Sequence, residues 1–252
     1  MDFSGKTVLV TGASRGIGKA IAQQFAQHGA KVAVHFNSNR AAAEETLATL
    51  HGDGHRLFQG DVADPKAVKS LVDNVVAEMS GFDILVNNAA IDSDHKIASV
   101  SYEEWQSQWA AILATNLVGA ANLCYCAAQH MIQRGGGRIV NVSSRGAFRG
   151  EPTAPAYGAS KAGLNAMGQS LAVALAAHNI GVVTVAPGWV ETDMAKEILA
   201  GEQGDAIRNQ SPLKRVATPD DVAAVVAFYA SEETFFSTGA VVDVNGASYL
   251  RT

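Results

Sequence analysis

Cysteine is scarce in this sequence, which excludes a disulfide framework. The 252 residues include two cysteines, Cys124 and Cys126, two positions apart within a segment of helical pattern. Side chains at that spacing do not face each other on a helix, so we expect neither a disulfide nor a bound metal. Free thiols are typical of a reducing compartment, and we expect a cytoplasmic protein.

Clusters of like charge are also lacking. The formal net charge is −5, and the 19 basic and 24 acidic residues are distributed without a basic block. Because nucleic acids and anionic membranes are recognised through basic patches, we expect neither as a partner. No cationic start with an apolar stretch and a cleavage site precedes Lys6, so the mature chain is expected to begin near Met1. No apolar run approaches the roughly 18 residues of a membrane span.

Linkers and internal repeats are missing too. The chain has six prolines, and no Pro/Ser-rich or charged segment divides it. Hydrophobic residues make up 48% of the sequence, which is enough for a sizeable core. We therefore predict one domain over residues 1–252, with a mobile substrate lid in the polar, glycine-containing segment 191–215.

What the sequence does contain is a regular alternation of two kinds of segment. Short apolar runs rich in Val and Ile alternate with longer segments of helical pattern. This alternation predicts an α/β fold, a doubly wound, Rossmann-type parallel sheet with helices on both faces. Its ligands are expected beyond the carboxyl ends of the strands. The predicted strands are 7–10, 31–36, 56–59, 83–86, 137–142, 181–186 and 240–244, and the predicted helices are 19–28, 41–50, 65–79, 102–134, 155–178 and 219–230.

A glycine-rich turn follows the first apolar run and opens the first helical segment. Its sequence is Thr11-Gly12-Ala13-Ser14-Arg15-Gly16-Ile17-Gly18. Glycines at such a point let the backbone approach a pyrophosphate, and the helix N-terminus favours its negative charge. The spacing differs from G-x-G-x-x-G, because three residues separate the first two glycines. Taken alone, the turn is equally compatible with an ordinary start of a helix.

A tyrosine and a lysine lie near the start of a later helical segment. Tyr157 and Lys161 are four positions apart, which places them on one helix face. A nearby ammonium favours the phenolate, whose pKa is otherwise near 10. The pattern is too short to be specific alone, but Ser143 and Ser144 follow the fifth apolar run and reach the same sheet edge. Hydrogen bonding at a strand end is the alternative role for these serines, and we assign it to Ser143.

Taken together, these motifs resemble those of the short-chain dehydrogenase/reductase family, from about Gly5 to the C-terminus. The family's first-strand motif is T-G-x-x-x-G-x-G, and Ser144 precedes Tyr157 by the interval that the family uses. Three short segments, 137–140, 159–163 and 244–246, read like those of the 3-oxoacyl-[acyl-carrier-protein] reductases. Further resemblances are Gly60-Asp61-Val62, Asn87-Asn88-Ala89-Ala90, Ala114-Thr115-Asn116-Leu117 and Ala186-Pro187-Gly188-Trp189-Val190-Glu191-Thr192.

The resemblance implies a catalytic set of Asn116, Ser144, Tyr157 and Lys161. Ser144 and Tyr157 are expected to bond the carbonyl oxygen, and Tyr157 to donate the proton. Lys161 is expected to lower the pKa of Tyr157 and to bind the nicotinamide ribose. Asn116 is expected to kink its helix and to retain a water that links Lys161 to solvent.

The resemblance also implies a site for a nicotinamide cofactor. Asp61 is equally a candidate helix cap, Asn87 and Asn88 are candidates for bonds between loops, and Pro187-Gly188 is a candidate simple turn. The expected cofactor-binding residues are Gly12, Ser14, Arg15, Gly16, Ile17, Gly18, Phe36, Asn37, Ser38, Arg40, Asp61, Val62, Asn88, Ala89, Ala90, Tyr157, Lys161, Pro187, Gly188, Val190 and Thr192.

The end of the second predicted strand bears on the choice between NADP(H) and NAD(H). An NAD-selective site needs a carboxylate there, and Phe36 occupies the position, followed by Asn37. Arg15 is placed to bond a 2′-phosphate, with Ser38, Asn39 and Arg40 as further donors. We therefore expect a preference for NADP(H), with NAD(H) as the alternative. Arg15 and Arg40 are otherwise solvated surface charges.

Two departures from the family pattern concern the reacting end. Ala90 replaces the usual glycine, which narrows the nicotinamide side by a methyl group. Between Trp105 and Asn116 the chain has about four residues more than usual, close to one helical turn. This addition preserves the helix face of Asn116 and is expected to reshape the adjacent wall of the substrate site with Trp109.

The expected reaction is hydride transfer between a nicotinamide and a small-molecule carbonyl or alcohol. A 3-oxoacyl-[acyl-carrier-protein] reductase-like substrate and a sugar or polyol remain open, since segments 91–101 and 191–215 carry no substrate signature. A catalytically silent, nucleotide-sensing binding protein is the alternative of another class. Helices rich in Ala and Gly permit close packing between subunits, and the resemblance implies a homotetramer.

Overall fold

The computed structural model describes residues 1–79 and 81–251, and within them seven parallel strands form one sheet. The order β3-β2-β1-β4-β5-β6-β7 reverses direction between β1 and β4, which creates a crevice at the carboxyl ends of these two strands. The strands are β1 (Thr7–Val10), β2 (Lys31–Phe36), β3 (Arg56–Gln59), β4 (Ile84–Asn87), β5 (Gly137–Val142), β6 (Ile180–Pro187) and β7 (Val241–Val244).

Helices cover both faces of this sheet. Short 3₁₀ segments, Ala176–His178 and Glu232–Ser237, end two of the connections, and a π-helical turn spans Ala114–Gly119. The α-helices are α1 (Gly16–Gln27), α2 (Arg40–Ala48), α3 (Pro65–Met79), α4 (Tyr102–Leu113), α5 (Ala120–Arg134), α6 (Gly146–Arg149), α7 (Pro155–Leu175), α8 (Asp193–Ala200), α9 (Gly204–Arg208) and α10 (Pro219–Ala230).

The hydrophobic core consists of one cluster on each face. Phe25 of α1 and Val226 of α10 are buried on one side, and Leu123 and Met131 of α5 are buried with Phe82 on the other. Each large side chain removed from water contributes about 1.5–3 kcal/mol to folding. The predicted single-domain, doubly wound α/β fold is confirmed. Of its predicted range 1–252, Ser80 and Thr252 lie outside the described residues.

Helix bounds differ from the sequence prediction where local hydrogen bonds decide them. Asn39 accepts from the Ala42 N–H at 3.0 Å, so α2 begins at Arg40. In the segment predicted as a helix over 155–178, the α-helix ends at Leu175 and a 3₁₀ segment follows. Asn179, in the left-handed conformation (φ 57°), ends that segment and directly precedes β6. The predicted lid segment contains the short helices α8 and α9.

The longest helical stretch corrects one sequence expectation. From Tyr102 to Arg134 the chain is helical for 33 residues, and an 18-residue window in it has a mean hydropathy of 1.5. By length and composition this window is sufficient to cross a membrane, whereas from the sequence we expected no apolar run of that length. Of the window, 39% is buried in the fold, and Leu123, Ala127 and Met131 pack in the core, as a sheet-covering helix does.

Candidate active site

The glycine-rich turn connects β1 to α1 in the crevice, and its backbone requires glycine. Gly12 is left-handed (φ 62°), and a Cβ at Gly18 would lie 2.2 Å from the Gly12 carbonyl oxygen. Arg15 is the N-cap residue of α1 but provides no side-chain cap, and the first turn of α1 contains no acid. The free N–H groups and the helix dipole are therefore available to an anion.

His35 fixes this turn from the neighbouring strand. Its Nδ1 accepts from the Gly12 N–H at 3.1 Å, and its Nε2 lies 3.0 Å from the Gly60 carbonyl, to which it donates. Burial lowers the pKa of His35 to about 4, so the ring is neutral at physiological pH. The sequence interpretation missed this residue, although a histidine within the apolar run Lys31–Phe36 was the available signal.

Asn88 fixes the turn from the other side. Its Nδ2 donates to the carbonyls of Thr11 at 2.8 Å and Gly12 at 3.1 Å. Asn87 donates to Asn141 Oδ1 at 2.9 Å and so bonds β4 to β5. The alternative role considered for these asparagines, bonding between neighbouring loops, is thus present, and Asn88 also lines the cleft.

Tyr157 and Lys161 lie together in the cleft, on the first turns of α7. Lys161 Nζ donates to the Val142 carbonyl at 2.9 Å and lies 5.7 Å from the centre of the Tyr157 ring. Burial lowers the pKa of Lys161 to about 8. Burial, followed by the charge of Asp92, raises the pKa of Tyr157, and the nearby Ser144 hydroxyl offsets this only in part. The shift of the Tyr157 pKa is therefore upward, opposite to the lowering that we expected from Lys161.

Asn116 occupies the π-helical turn between α4 and α5. Its Nδ2 donates to the Ile91 carbonyl, and its Oδ1 accepts from the Ile91 N–H, both at 2.9 Å. The same Nδ2 lies 3.2 Å from Ser160 Oγ, which donates to the Tyr157 carbonyl. The helix irregularity expected at Asn116 is the π turn, a feature that often marks functional sites.

His95 is a second residue that the sequence interpretation missed. It is fully buried, its Nδ1 donates to the Ser93 carbonyl at 2.7 Å, and its Nε2 accepts from the Ala156 N–H at 3.0 Å. It therefore satisfies a free N–H in the first turn of α7, next to Tyr157. Its ring packs edge-on against Trp105, which contacts Trp109. Helix α4 thus supports the loop after β4 through Trp105, and no polar pattern in the sequence indicates this role.

Two carboxylates act on the phenol of Tyr157, and one of them, Asp92, lines the cleft. Partial desolvation, followed by the charge of Glu151, raises the pKa of Asp92. Glu151 itself bonds Arg149 at 3.3 Å. Both acids raise the pKa of Tyr157, so they favour a protonated phenol. Neither residue was predicted, because acids in a loop are usually solvated.

The cleft has a volume of about 640 Å³, within the range of about 300–1,000 Å³ typical of ligand sites. Its size, the uncapped N-terminus of α1 and buried Lys161 fit a dinucleotide. The predicted cofactor residues that line it are Gly12, Ser14, Arg15, Gly16, Ile17, Gly18, Phe36, Asn37, Ser38, Asp61, Val62, Asn88, Ala89, Ala90, Tyr157, Lys161 and Thr192.

Four predicted cofactor residues do not line the cleft. Arg40 lies over the Phe36 ring and pairs with Glu44 on α2, because it is the first residue of that helix. Pro187, Gly188 and Val190 form the turn after β6, where Gly188 bonds β7 and Val190 bridges to the segment before α10. The turn delivers Thr192 to the cleft instead, with its methyl group beside Gly16.

Asp61 lines the cleft but does not cap a helix. Its Oδ1 accepts from the Ala63 N–H at 2.9 Å, and the N-terminus of α3 is bonded by Asp64, which accepts from Lys66 N–H. The helix-cap alternative for Asp61 is therefore wrong. Its second carboxylate oxygen remains for a ligand at the adenine end.

Comparisons with known proteins identify the family of this chain. A family model described as "Enoyl-(Acyl carrier protein) reductase" matches residues 12–247. A 3-oxoacyl-[acyl-carrier-protein] reductase of Vibrio cholerae is 38% identical over 250 residues, covering 99% of this chain and 100% of the relative. That of Escherichia coli K12 is 38% identical over 251 residues, with 99% and 100% covered.

A solved structure gives the same result. A protein from Sinorhizobium meliloti 1021, described as a candidate short-chain alcohol dehydrogenase, is 36% identical and superposes with a TM-score of 0.90. The match covers 98% of this chain and 97% of that chain. Fold and cleft thus define an NAD(P)-dependent oxidoreductase acting on C=O or CH–OH groups. More particularly, the chain belongs to the short-chain dehydrogenase/reductase family and is similar to its 3-oxoacyl-[acyl-carrier-protein] reductases.

Proposed function

We propose that this enzyme reduces a carbonyl compound with NADPH, using Tyr157 as the proton donor. The observation that carries the proposal is the convergence of Tyr157, Lys161 and the uncapped N-terminus of α1 in one cleft. The N-terminus of α1 would hold the pyrophosphate of a dinucleotide, and Tyr157 and Lys161 would lie at its nicotinamide end.

Four residues have a defined task in this proposal. When bound, the cofactor supplies the hydride to the carbonyl carbon. Tyr157 gives its phenolic proton to the carbonyl oxygen, and Ser144 donates a hydrogen bond to the same oxygen. Lys161 binds the nicotinamide ribose, and its positive charge favours the tyrosinate that forms. Asn116 holds the loop after β4 through Ile91 and supports the water that reprotonates the site.

Protonation states at rest support the direction of this transfer. Tyr157 has a raised pKa and Lys161 a pKa of about 8. Both groups therefore carry their protons near neutral pH, as a reductase requires. A bound cofactor phosphate, or a substrate that separates Asp92 from the phenol, would change the pKa values of Tyr157 and Lys161 when turnover begins.

The preference for NADPH rests on the adenosine end of the cleft. Phe36 ends β2 where an NAD-selective site has an acid, and Asn37 and Ser38 line the cleft beyond it. Arg15 also lines the cleft and is exposed. A guanidinium at this place bonds a 2′-phosphate with charge-assisted hydrogen bonds. Arg40, engaged on Phe36, is not part of this proposal.

Residues 191–215 are proposed as the lid over the substrate. Ala195, Leu199 and Ile207 form a small apolar cluster against Trp189, separate from the two main cores. A segment with so few buried contacts opens more readily than the sheet. We propose that it closes on a 3-oxoacyl thioester, as the names of the relatives suggest, with a sugar or polyol as the alternative.

The assembly is proposed to be a cytoplasmic homotetramer that has no nucleic-acid or membrane partner. Exposed Val118, Tyr125 and Val173 lie on the helical stretch 114–134 and on α7. Apolar side chains on neighbouring helices suit a contact with a second copy. Light scattering coupled to size-exclusion chromatography measures the subunit number, and a monomer would refute the assembly.

A substrate panel tests the function. NADPH and NADH oxidation is followed with 3-oxoacyl thioesters, keto sugars, aromatic ketones and, because of the family model's description, an enoyl thioester. Tyr157→Phe should reduce kcat by about 10³-fold on every substrate that is turned over, within the range of general acid catalysis. Cofactor affinity should stay within about twofold, and Tyr102→Phe, an exposed tyrosine at the start of α4, serves as the control. Inactivity of the wild type on the whole panel would instead favour a nucleotide-sensing protein.

A further inference from the structure

A second cavity, of about 220 Å³, lies under the end of the lid and shares no lining residue with the cofactor cleft. Arg145, which follows Ser144 in the chain, reaches into it from the end of β5. The remaining lining comes from Trp189, from segment 207–221 and from segment 244–248. It is a site of its own, formed where three segments meet beyond β6 and β7.

Arg145 is buried without a carboxylate. It is 3% exposed, its Nη1 donates to Ser248 Oγ and its Nη2 to Gln210 Oε1, both at 2.6 Å. Among the described residues, no carboxylate oxygen lies within 4.0 Å of its guanidinium; Glu151 bonds Arg149 and acts on Arg145 only through its charge at longer range. A buried charge with neutral hydrogen-bond partners is costly, and a directly bonded ligand of opposite charge reduces that cost.

The other charged groups of the cavity leave this positive charge uncompensated. Arg215 bonds both carboxylate oxygens of Asp221. Asp221 also accepts from the Thr218 N–H at 2.8 Å, which fixes it in the cap of α10. The pair is neutral as a whole, so the lining retains one net positive charge, that of Arg145.

The rest of the lining is mixed. Trp189, Ile207, Leu213, Val216 and Val244 contribute hydrocarbon surface, and Ser211, Asn245 and Ser248 contribute polar groups. Since a water molecule's share of liquid volume is about 30 Å³, the cavity has room for roughly seven non-hydrogen atoms. The charge, the size and the hydrocarbon part of the lining together favour a short anion with a hydrocarbon tail.

We propose that this cavity binds a small monocarboxylate, whose oxygens pair with the Arg145 guanidinium while its tail packs on Trp189 and Val244. The planar guanidinium fork matches a carboxylate in two parallel hydrogen bonds, and a charged acceptor replaces neutral ones. The site is independent of the proposed reduction, since the cofactor and Tyr157 lie in the other cleft.

Butyrate, with six non-hydrogen atoms, is the probe, and butyramide is its neutral counterpart of equal shape. Isothermal titration of the full-length wild type should show saturable binding of butyrate at constant ionic strength. Butyramide should bind at least about tenfold more weakly, because it lacks the charge. Absence of saturable butyrate binding, or equal binding of the two probes, overturns the proposal. This comparison uses the wild type alone and does not depend on any variant folding.

Variants then locate the site. Arg145→Met should weaken butyrate binding at least about tenfold, and Arg134→Met, which removes an arginine at the end of α5 that does not line the cavity, should leave it unchanged. NADPH affinity should be unaltered in both variants, which separates this result from any failure of the proposed function. Wild-type butyrate affinity in folded Arg145→Met would refute the assignment.

Discussion

The two ends of the cofactor cleft are held by different kinds of contact. At the phosphate end, Gly12 is bonded by His35 of β2 and by Asn88, which directly follows β4, and these two strands flank β1 in the sheet. At the substrate end, loop 91–95 is held by helices, through Trp105 and the first turn of α7. The phosphate end is thus fixed by sheet register, and the substrate end by helix length and helix starts. Changes at the first end should alter stability and cofactor affinity, and changes at the second should alter turnover.

Lys161 lies between the phosphate end and the substrate end. Its replacement should therefore affect both kcat and cofactor affinity, and more strongly than a change at either end. Lys161→Met removes the charge that favours tyrosinate and the donors for the ribose, at similar side-chain length. We expect kcat to fall by about 10²–10⁴-fold and cofactor dissociation constants to rise together. Fluorescence titration of NADPH and steady-state rates measure both, with exposed Lys66→Met as the control. Unchanged cofactor affinity would remove the ribose role.

His35 should make the phosphate end sensitive to acid. Its pKa is about 4 in the folded protein and about 6.5 when unfolded. Between these values the unfolded chain binds more protons, so its contribution to stability is complete above about pH 6.5. That contribution falls as the pH is lowered, by about 3 kcal/mol at pH 4. Asp61 is the nearby acid that opposes the shift.

Urea unfolding of wild type and His35→Asn at pH 8 and pH 5 isolates this effect. The wild type should lose about 2 kcal/mol more than the variant over that interval, because other titrating groups are common to both proteins. Equal losses in the two proteins would show that His35 is not the acid-sensitive group.

His95 tests the substrate end. His95→Phe keeps an aromatic ring against Trp105 but removes the bonds to Ser93 and Ala156. We expect kcat to fall about tenfold, as one lost buried hydrogen bond costs about 1–3 kcal/mol, with the NADPH dissociation constant within about twofold of wild type. Rates and titrations on the same preparation distinguish the two parameters. A variant that loses cofactor affinity in proportion to kcat would show a general structural role instead.

Arg15 should have the smallest effect, confined to one cofactor. Arg15→Ala should weaken NADPH binding about tenfold and leave NADH binding unchanged, because only NADPH carries the 2′-phosphate. Arg40→Ala is the matched control, since Arg40 is engaged on Phe36 outside the cleft lining. Tighter NADH binding in the wild type, or an equal loss in Arg40→Ala, contradicts the proposed preference.

The phosphate end is easier to predict from the sequence than the substrate end, and the reason is physical. Glycines forced by backbone geometry and buried strands leave local patterns, and the bounds of β1, β2, β3 and β5 agree with those patterns. The hydrogen bonds of His35 and His95 join segments that are distant in the chain, so no pattern of sequence spacing predicts them. Arg40 was misplaced because a residue just beyond a strand can begin the next helix and turn away. Nor does a lone arginine such as Arg145 reveal from sequence that it is buried.

The π-helical turn at 114–119 has a consequence for how such an enzyme diversifies. The four additional residues expected before Asn116 would lengthen α4 by about 6 Å and shift its phase by about 40°. A π-helical turn, whose hydrogen bonds span one residue more than those of an α-helix, absorbs part of such a shift, and Asn116 keeps its two bonds to Ile91. We therefore expect α4 to accept insertions of a whole turn, and libraries of α4 length are a starting point for changing the substrate scope.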